Sequence, residues 1–248
     1  ASAGSITTAD INTSELGTNE SDRRITLNAS GAITSGSLTS AADTSLFSTG
    51  GSITVGDIEA GTEGTAGSIG LDARGGDIQT GSLIAKYAVT GQAGKNADGG
   101  SISTGDISSA SVSFKAQRGD ITTGSITAST YLDASGSITT SNIEGNYAEF
   151  TAWSGSITTG DIDITFKPGQ IKGYTKLTAY TGEITTGGIT ADYYTRLTSG
   201  SSITTSGISS FMTVLNAGGS ITTGNIDATS SAELTASGDI ETGALTTG

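Results

Sequence analysis

Carboxylates and hydroxyls are the side chains of this sequence that could do chemistry. Asp57, Asp106 and Asp161, with Asn225 in the same place, recur once per repeat of a short phrase, and Asp161, Asp163 and Glu183 fall where folding could bring them near one another. Two carboxylates flanking one bond are what acid–base cleavage of a glycoside requires. Here, however, the acids come one per repeat and are interrupted by Asn225, whereas a polysaccharide-cleaving site gathers acids and bases on one strand face. The chain has no histidine and no cysteine. That removes the commonest general base and metal ligand, the Ser-His-Asp arrangement, and all thiol and disulfide chemistry. A Walker phosphate loop is absent and no Gly-x-Ser-x-Gly elbow stands out. The expectation is a protein that is not an enzyme, with no catalytic, cofactor-binding or metal-binding residues.

Binding chemistry has two other candidates. Sparse aromatic residues gather late in the chain, and Tyr147, Trp153, Tyr174, Tyr180 and Tyr193 could form an exposed contact patch for a sugar, a neighbouring molecule or another domain, or equally be half-buried residues of the rim. Phe114, Phe150 and Phe211 are expected in the core instead. A hydroxylated strip comes from the phrase Gly-Ser-Ile-Thr-Thr-Gly: with isoleucine inward, the Ser before it and the first Thr after it point out. Thr122, Thr139, Thr158, Thr185, Thr204 and Thr222 lie in that strip. A flat Ser-x-Thr face could order water against ice, although Asp77, Gln79, Asp120, Glu183, Asp239 and Glu241 interrupt it. Threonine also simply favours exposed strand positions. Asn96-Ala97-Asp98-Gly99-Gly100 has the composition of a calcium loop but does not recur. The acidic chain is compatible with weak surface calcium binding and indicates no dedicated site.

The elements that must position these residues are legible in the spacing. An isoleucine after Gly-Ser, Gly-Asp or a near variant occurs twelve times, from Ile6 to Ile240, at intervals of 27, 20, 25, 24, 19, 17, 19, 27, 19, 18 and 19 residues. A second apolar residue follows five positions later each time, from Ile11 to Leu245. A third alternating segment precedes most of the markers, as in Ile25-Thr26-Leu27-Asn28-Ala29 and Leu234-Thr235-Ala236. Short period-two runs between Gly, Ser, Asn and Asp turns read as strands. One unit cannot bury its own apolar face, but stacked copies can. The spacing therefore predicts an all-β fold over 1–248 as a single domain: one parallel β-helix (β-solenoid) of about 12 coils, about 19 residues each, with three short strands per coil. Propeller blades are about twice this length, and a sandwich has no reason to repeat one phrase. Extra residues at 15–22, 61–66, 90–98 and 165–173 are expected to be loops between second and third strands. The corner glycines are expected to serve a positive φ or a close approach of stacked backbones.

The formal charge of −13 argues against nucleic acid as a partner and against an anionic membrane. No apolar run is long enough to cross a bilayer, so no membrane insertion is expected. The roughly 19-residue unit, with Gly-Ser/Asp-Ile-Thr-Thr-Gly, a second anchor five on and a following Leu-x-Ala, strongly resembles the repeat region of large secreted exoproteins of the filamentous haemagglutinin type. The resemblance runs from Gly4 to the end. It implies a right-handed helix, two-partner secretion, an extracellular or bacterial cell-surface location, and a role in adhesion, biofilm or surface fibres. The expected function is a structural rod, stalk or fibre segment, with a carbohydrate- or receptor-binding module and an ice-binding solenoid as alternatives. Expected partners are further copies stacked end to end, flanking domains of the same exoprotein, and host or cell-surface glycans. The absence of any cap in the repeat phase suggests either a segment of a longer chain or a fibre subunit.

Overall fold

A computed structural model describes residues 4–14, 23–61, 67–96, 99–165 and 173–248. The fold is an all-β, right-handed parallel β-solenoid of about eleven turns. The twelve sequence anchors bound eleven intervals, which reconciles the two counts. Two compact units divide the chain, Ala1–Gly124 and Ser125–Gly248.

In the first unit the anchors stack in register, Ile6 on Ile33, Ile53, Ile78, Ile102 and Ile121. The second strands stack Ile11, Leu38, Ile58, Leu83 and Ile107 in the same way. The third strands place Leu27, Leu46, Leu71, Gly91 and Phe114 in one column. In the second unit the columns are Ile138 to Ile240, Ile126 to Leu245, and Leu132, Phe150, Leu177, Leu197, Leu215 and Leu234. Identical residues in register satisfy each other's backbone across the ladder and bury their side chains at once. Ile33, Ile53, Ile138, Ile157 and Ile184 are 0% exposed, and each such residue contributes about 1.5–3 kcal/mol relative to an exposed one.

Three third strands lacked a strong sequence signal: Thr44–Ser48, Ala88–Ala93 and Tyr147–Ala152. Two expectations need correction. Thr90 to Ala93 is strand, paired with Gly70 to Ala73, so the extra length of that turn follows the third strand instead of preceding it. Phe211 is 44% exposed and not core, because the ladder shifts register between Ser210 and Met212 and turns Phe211 outward. Phe114 and Phe150 are fully buried as expected. Of the expected loops 15–22, 61–66 and 165–173, residues 15–22, 62–66 and 166–172 lie outside the described residues, as do 97 and 98.

Candidate functional site

The Ser and Asp positions that could do chemistry lie at the corners, and there they hold one turn to the next. At a corner the strand ladder is interrupted, and the N–H ahead of each anchor needs another acceptor. Where a serine stands one turn earlier it supplies that acceptor, and Asp77 does so for Ser101 at 2.8 Å. Ala32 donates to Ser5 Oγ at 3.1 Å, Asp77 to Ser52 at 3.1 Å, Glu183 to Ser156 at 3.1 Å, and Ser220 to Ser202 at 3.2 Å. The expected outward column of serines is thus turned along the solenoid and engaged, so the exposed hydroxyl strip is one side chain wide and not two. In the second unit that strip is Thr139, Thr158, Thr185, Thr204 and Thr222 in direct register, all exposed; Thr122 is exposed in the first.

The second corner uses the same device with carboxylates and amides. Ser82 N–H donates to Asp57 Oδ1 at 2.8 Å, Gly188 to Asp161 Oδ1 at 2.7 Å, and Ala244 to Asn225 Oδ1 at 2.9 Å. An N–H donor can be satisfied by a carboxylate or an amide oxygen, which explains why Asp and Asn both occur in this column, Asn142 accepting from Asp161 at 3.0 Å. The three acids considered for catalysis are not one constellation. Asp161 caps the second corner, Glu183 stands in the column at the first, and Asp163 lies outward on the second strand beside Glu144 of the previous turn.

The glycines make these contacts sterically feasible. At Gly219 a Cβ would lie 2.7 Å from Ser202 Oγ, and at Gly238 a Cβ would lie 2.6 Å from Ser220 Oγ. Neither has a positive φ; among the described residues only Gly61 and Gly94 do. Close approach, not left-handed backbone, is the requirement at these corners. The inward Thr of the phrase is satisfied locally: the hydroxyls of Thr123, Thr159 and Thr223 donate to the next glycine's carbonyl at 3.0, 2.9 and 2.8 Å.

The five aromatic candidates form two groups on the third-strand face of the second unit. Trp153 and Tyr180, each 53% exposed, stack with ring centroids 4.7 Å apart, and Trp153 Nε1 donates to Asp133 at 2.8 Å. At the other end of the strand Tyr147, Tyr174 and Tyr194 stack at 5.7 and 5.2 Å, with Tyr147 and Tyr174 half-buried. Tyr193 packs on its edge there and stacks with Phe211 at 6.0 Å. Between the groups Glu149 accepts from Lys176 Nζ at 2.7 Å and from Tyr174 Oη at 3.2 Å. Burial, reinforced by the Glu149 carboxylate, pushes the Tyr174 phenol up to about 12, and the hydrogen bond to Glu149 raises Lys176.

Among the described residues there is no group of three or more acids that could hold a metal ion, and no helix long and apolar enough to cross a membrane. Compared with known proteins, the chain matches no family model, no curated protein and no solved structure.

Proposed function

We propose that the chain is a structural stalk or fibre segment of a secreted bacterial surface adhesin of the filamentous haemagglutinin type. The observation that carries this reading is the use made of the polar residues. At both corners the Ser, Asp and Asn side chains that could serve chemistry bond the backbone of an adjacent turn. A repeat whose corner side chains serve the next repeat is suited to extension, since any number of turns can be added by the same contacts. The repeated phrase and its resemblance to exoprotein repeats support the secreted, cell-surface setting. End-to-end association with further copies, or continuation into flanking domains, follows from the same repeat logic.

Electron microscopy of the purified chain across a concentration series tests the reading. Slender particles support it, whether they stay discrete, as a stalk segment would, or lengthen with concentration, as a fibre subunit would. Round particles, or growth only by lateral clumping, would overturn it.

A further inference from the structure

The third-strand face of the first unit carries an open cleft of about 500 Å³. Its floor is Gly70, which stands in an outward column between Ser45 and Thr90. The neighbouring column runs Phe47, Asp72, Gln92 and Lys115. The Arg74 guanidinium lies 4.7 Å from the Phe47 ring centroid, and its Nε donates to Asp72 Oδ2 at 3.1 Å.

Gly70 is a glycine the fold does not require. Its φ is not positive, and an added Cβ would meet only Thr90 Oγ1, at 3.8 Å, an ordinary contact. Its neighbour Gly91 is different: a Cβ there would press on the Phe114 ring at 2.9 Å, so that glycine makes room for a core side chain. A glycine inside a strand weakens it and often marks a bulge, a bend or a close approach to the backbone; Gly70 sits in unbroken register with Ser45 and Thr90, which leaves the close approach.

The chemistry around Gly70 narrows what that is. Two cations, Arg74 and Lys115, face one carboxylate, Asp72, in a chain where acids outnumber bases 24 to 11. The Asp72 side chain is part-exposed in the cleft, and its Oδ2, which accepts from Arg74 Nε, keeps a further lone pair for a hydroxyl. Thr90 and Gln92 add donors and acceptors at the rim, and Phe47 adds an apolar surface. A phosphate group would be better served by free backbone N–H groups, which the ladder here has already engaged. We infer that this cleft binds an acidic saccharide, a uronate-containing oligosaccharide. The carboxylate lies toward Lys115 and Arg74, the hydroxyls reach Asp72, Thr90 and Gln92, and the ring rests over Gly70. This site is independent of the stalk reading, which concerns the corners.

The test is titration calorimetry with trigalacturonate and with a neutral galactose trisaccharide, on the whole chain and on Gly70→Thr and Lys115→Gln. Trigalacturonate should bind saturably and at least about tenfold tighter than the neutral sugar, as charge-assisted hydrogen bonds provide. Gly70→Thr should melt at or above the parent temperature, because threonine suits a strand, and should lose binding. Lys115→Gln should erase most of the preference for the acidic sugar. Absence of saturable binding, or unchanged binding by a folded Gly70→Thr chain, would overturn the site; equal affinity for the neutral sugar would overturn its acidic specificity.

Discussion

Thr175 and Thr195 lie in one buried column of the third strands, and neither hydroxyl has a hydrogen-bond partner. Their neighbour Thr213 is differently placed, with Ser210 Oγ at 2.8 Å. A buried hydroxyl without a partner costs about 1–3 kcal/mol, and valine keeps its shape without that cost. Thr195→Val should therefore raise the midpoint of thermal unfolding, while Thr213→Val, which breaks a made bond, should lower it. Equal shifts in the two melts would contradict this assignment. A second residue-scale prediction concerns Tyr174, whose phenol is raised from 10.0 to about 12 by burial and by Glu149. A raised folded-state value means that the neutral phenol contributes stability below pH 10, which is lost as pH climbs from 10 toward 12. Lys176, also raised, acts with the same sign. Melting temperature should fall steeply across that window, and Tyr174→Phe should make the fall shallower. An unchanged slope in the phenylalanine variant would remove Tyr174 from the explanation.

At the scale of the turn, glycine and serine of the repeated phrase form one device. Ser202 Oγ must reach the N–H of Ser220 at 3.2 Å, and Gly219 leaves the space it passes through. A methyl group at Gly219 would meet that oxygen at 2.7 Å but the nearest backbone atom only at 3.2 Å. Gly219→Ala should therefore cost most when Ser202 is present. In a double-mutant cycle with Ser202→Ala, the two losses should fall short of additivity by about 1 kcal/mol. Additive losses, measured by denaturant unfolding, would mean that the glycine serves the backbone alone. This pairing was hidden in the sequence because its two members lie in different turns. The strands were more legible where each turn carries its own signal, as in Ile69-Gly70-Leu71-Asp72-Ala73. Ala88–Ala93 escaped notice because the middle of its three buried positions, Val89, Gly91 and Ala93, is a glycine sized to accommodate Phe114 one turn on. Phe211 misled for a related reason: only the stacked neighbour reveals the register shift that turns it out.

At the scale of the whole chain, the period of the apolar anchors made the fold readable and left the candidate site almost silent. Twenty-four anchor positions in period-two runs specify which residues stack on which. The cleft around Gly70 has no such repetition, and its only trace in the sequence is a glycine inside a strand. Charge is the property that belongs to the chain as a whole. Stacking every 4.8 Å or so places outward residues of successive turns beside each other, and Glu144 and Asp163 form one such pair that is acidic on both sides. With a formal charge of −13, repulsion within each unit should exceed that in the extended unfolded chain. Salt screens such exposed charges, with a Debye length of about 30 Å at 0.01 M and about 8 Å at 0.15 M. Unfolding temperature should therefore rise as sodium chloride is raised over that range. Asp163→Thr, which removes one like-charge neighbour, should raise the low-salt midpoint and reduce the salt dependence. If added salt leaves the midpoint unchanged or lowers it, favourable ion pairs such as Lys176–Glu149 outweigh the repulsion, and net charge does not govern the stability of this solenoid.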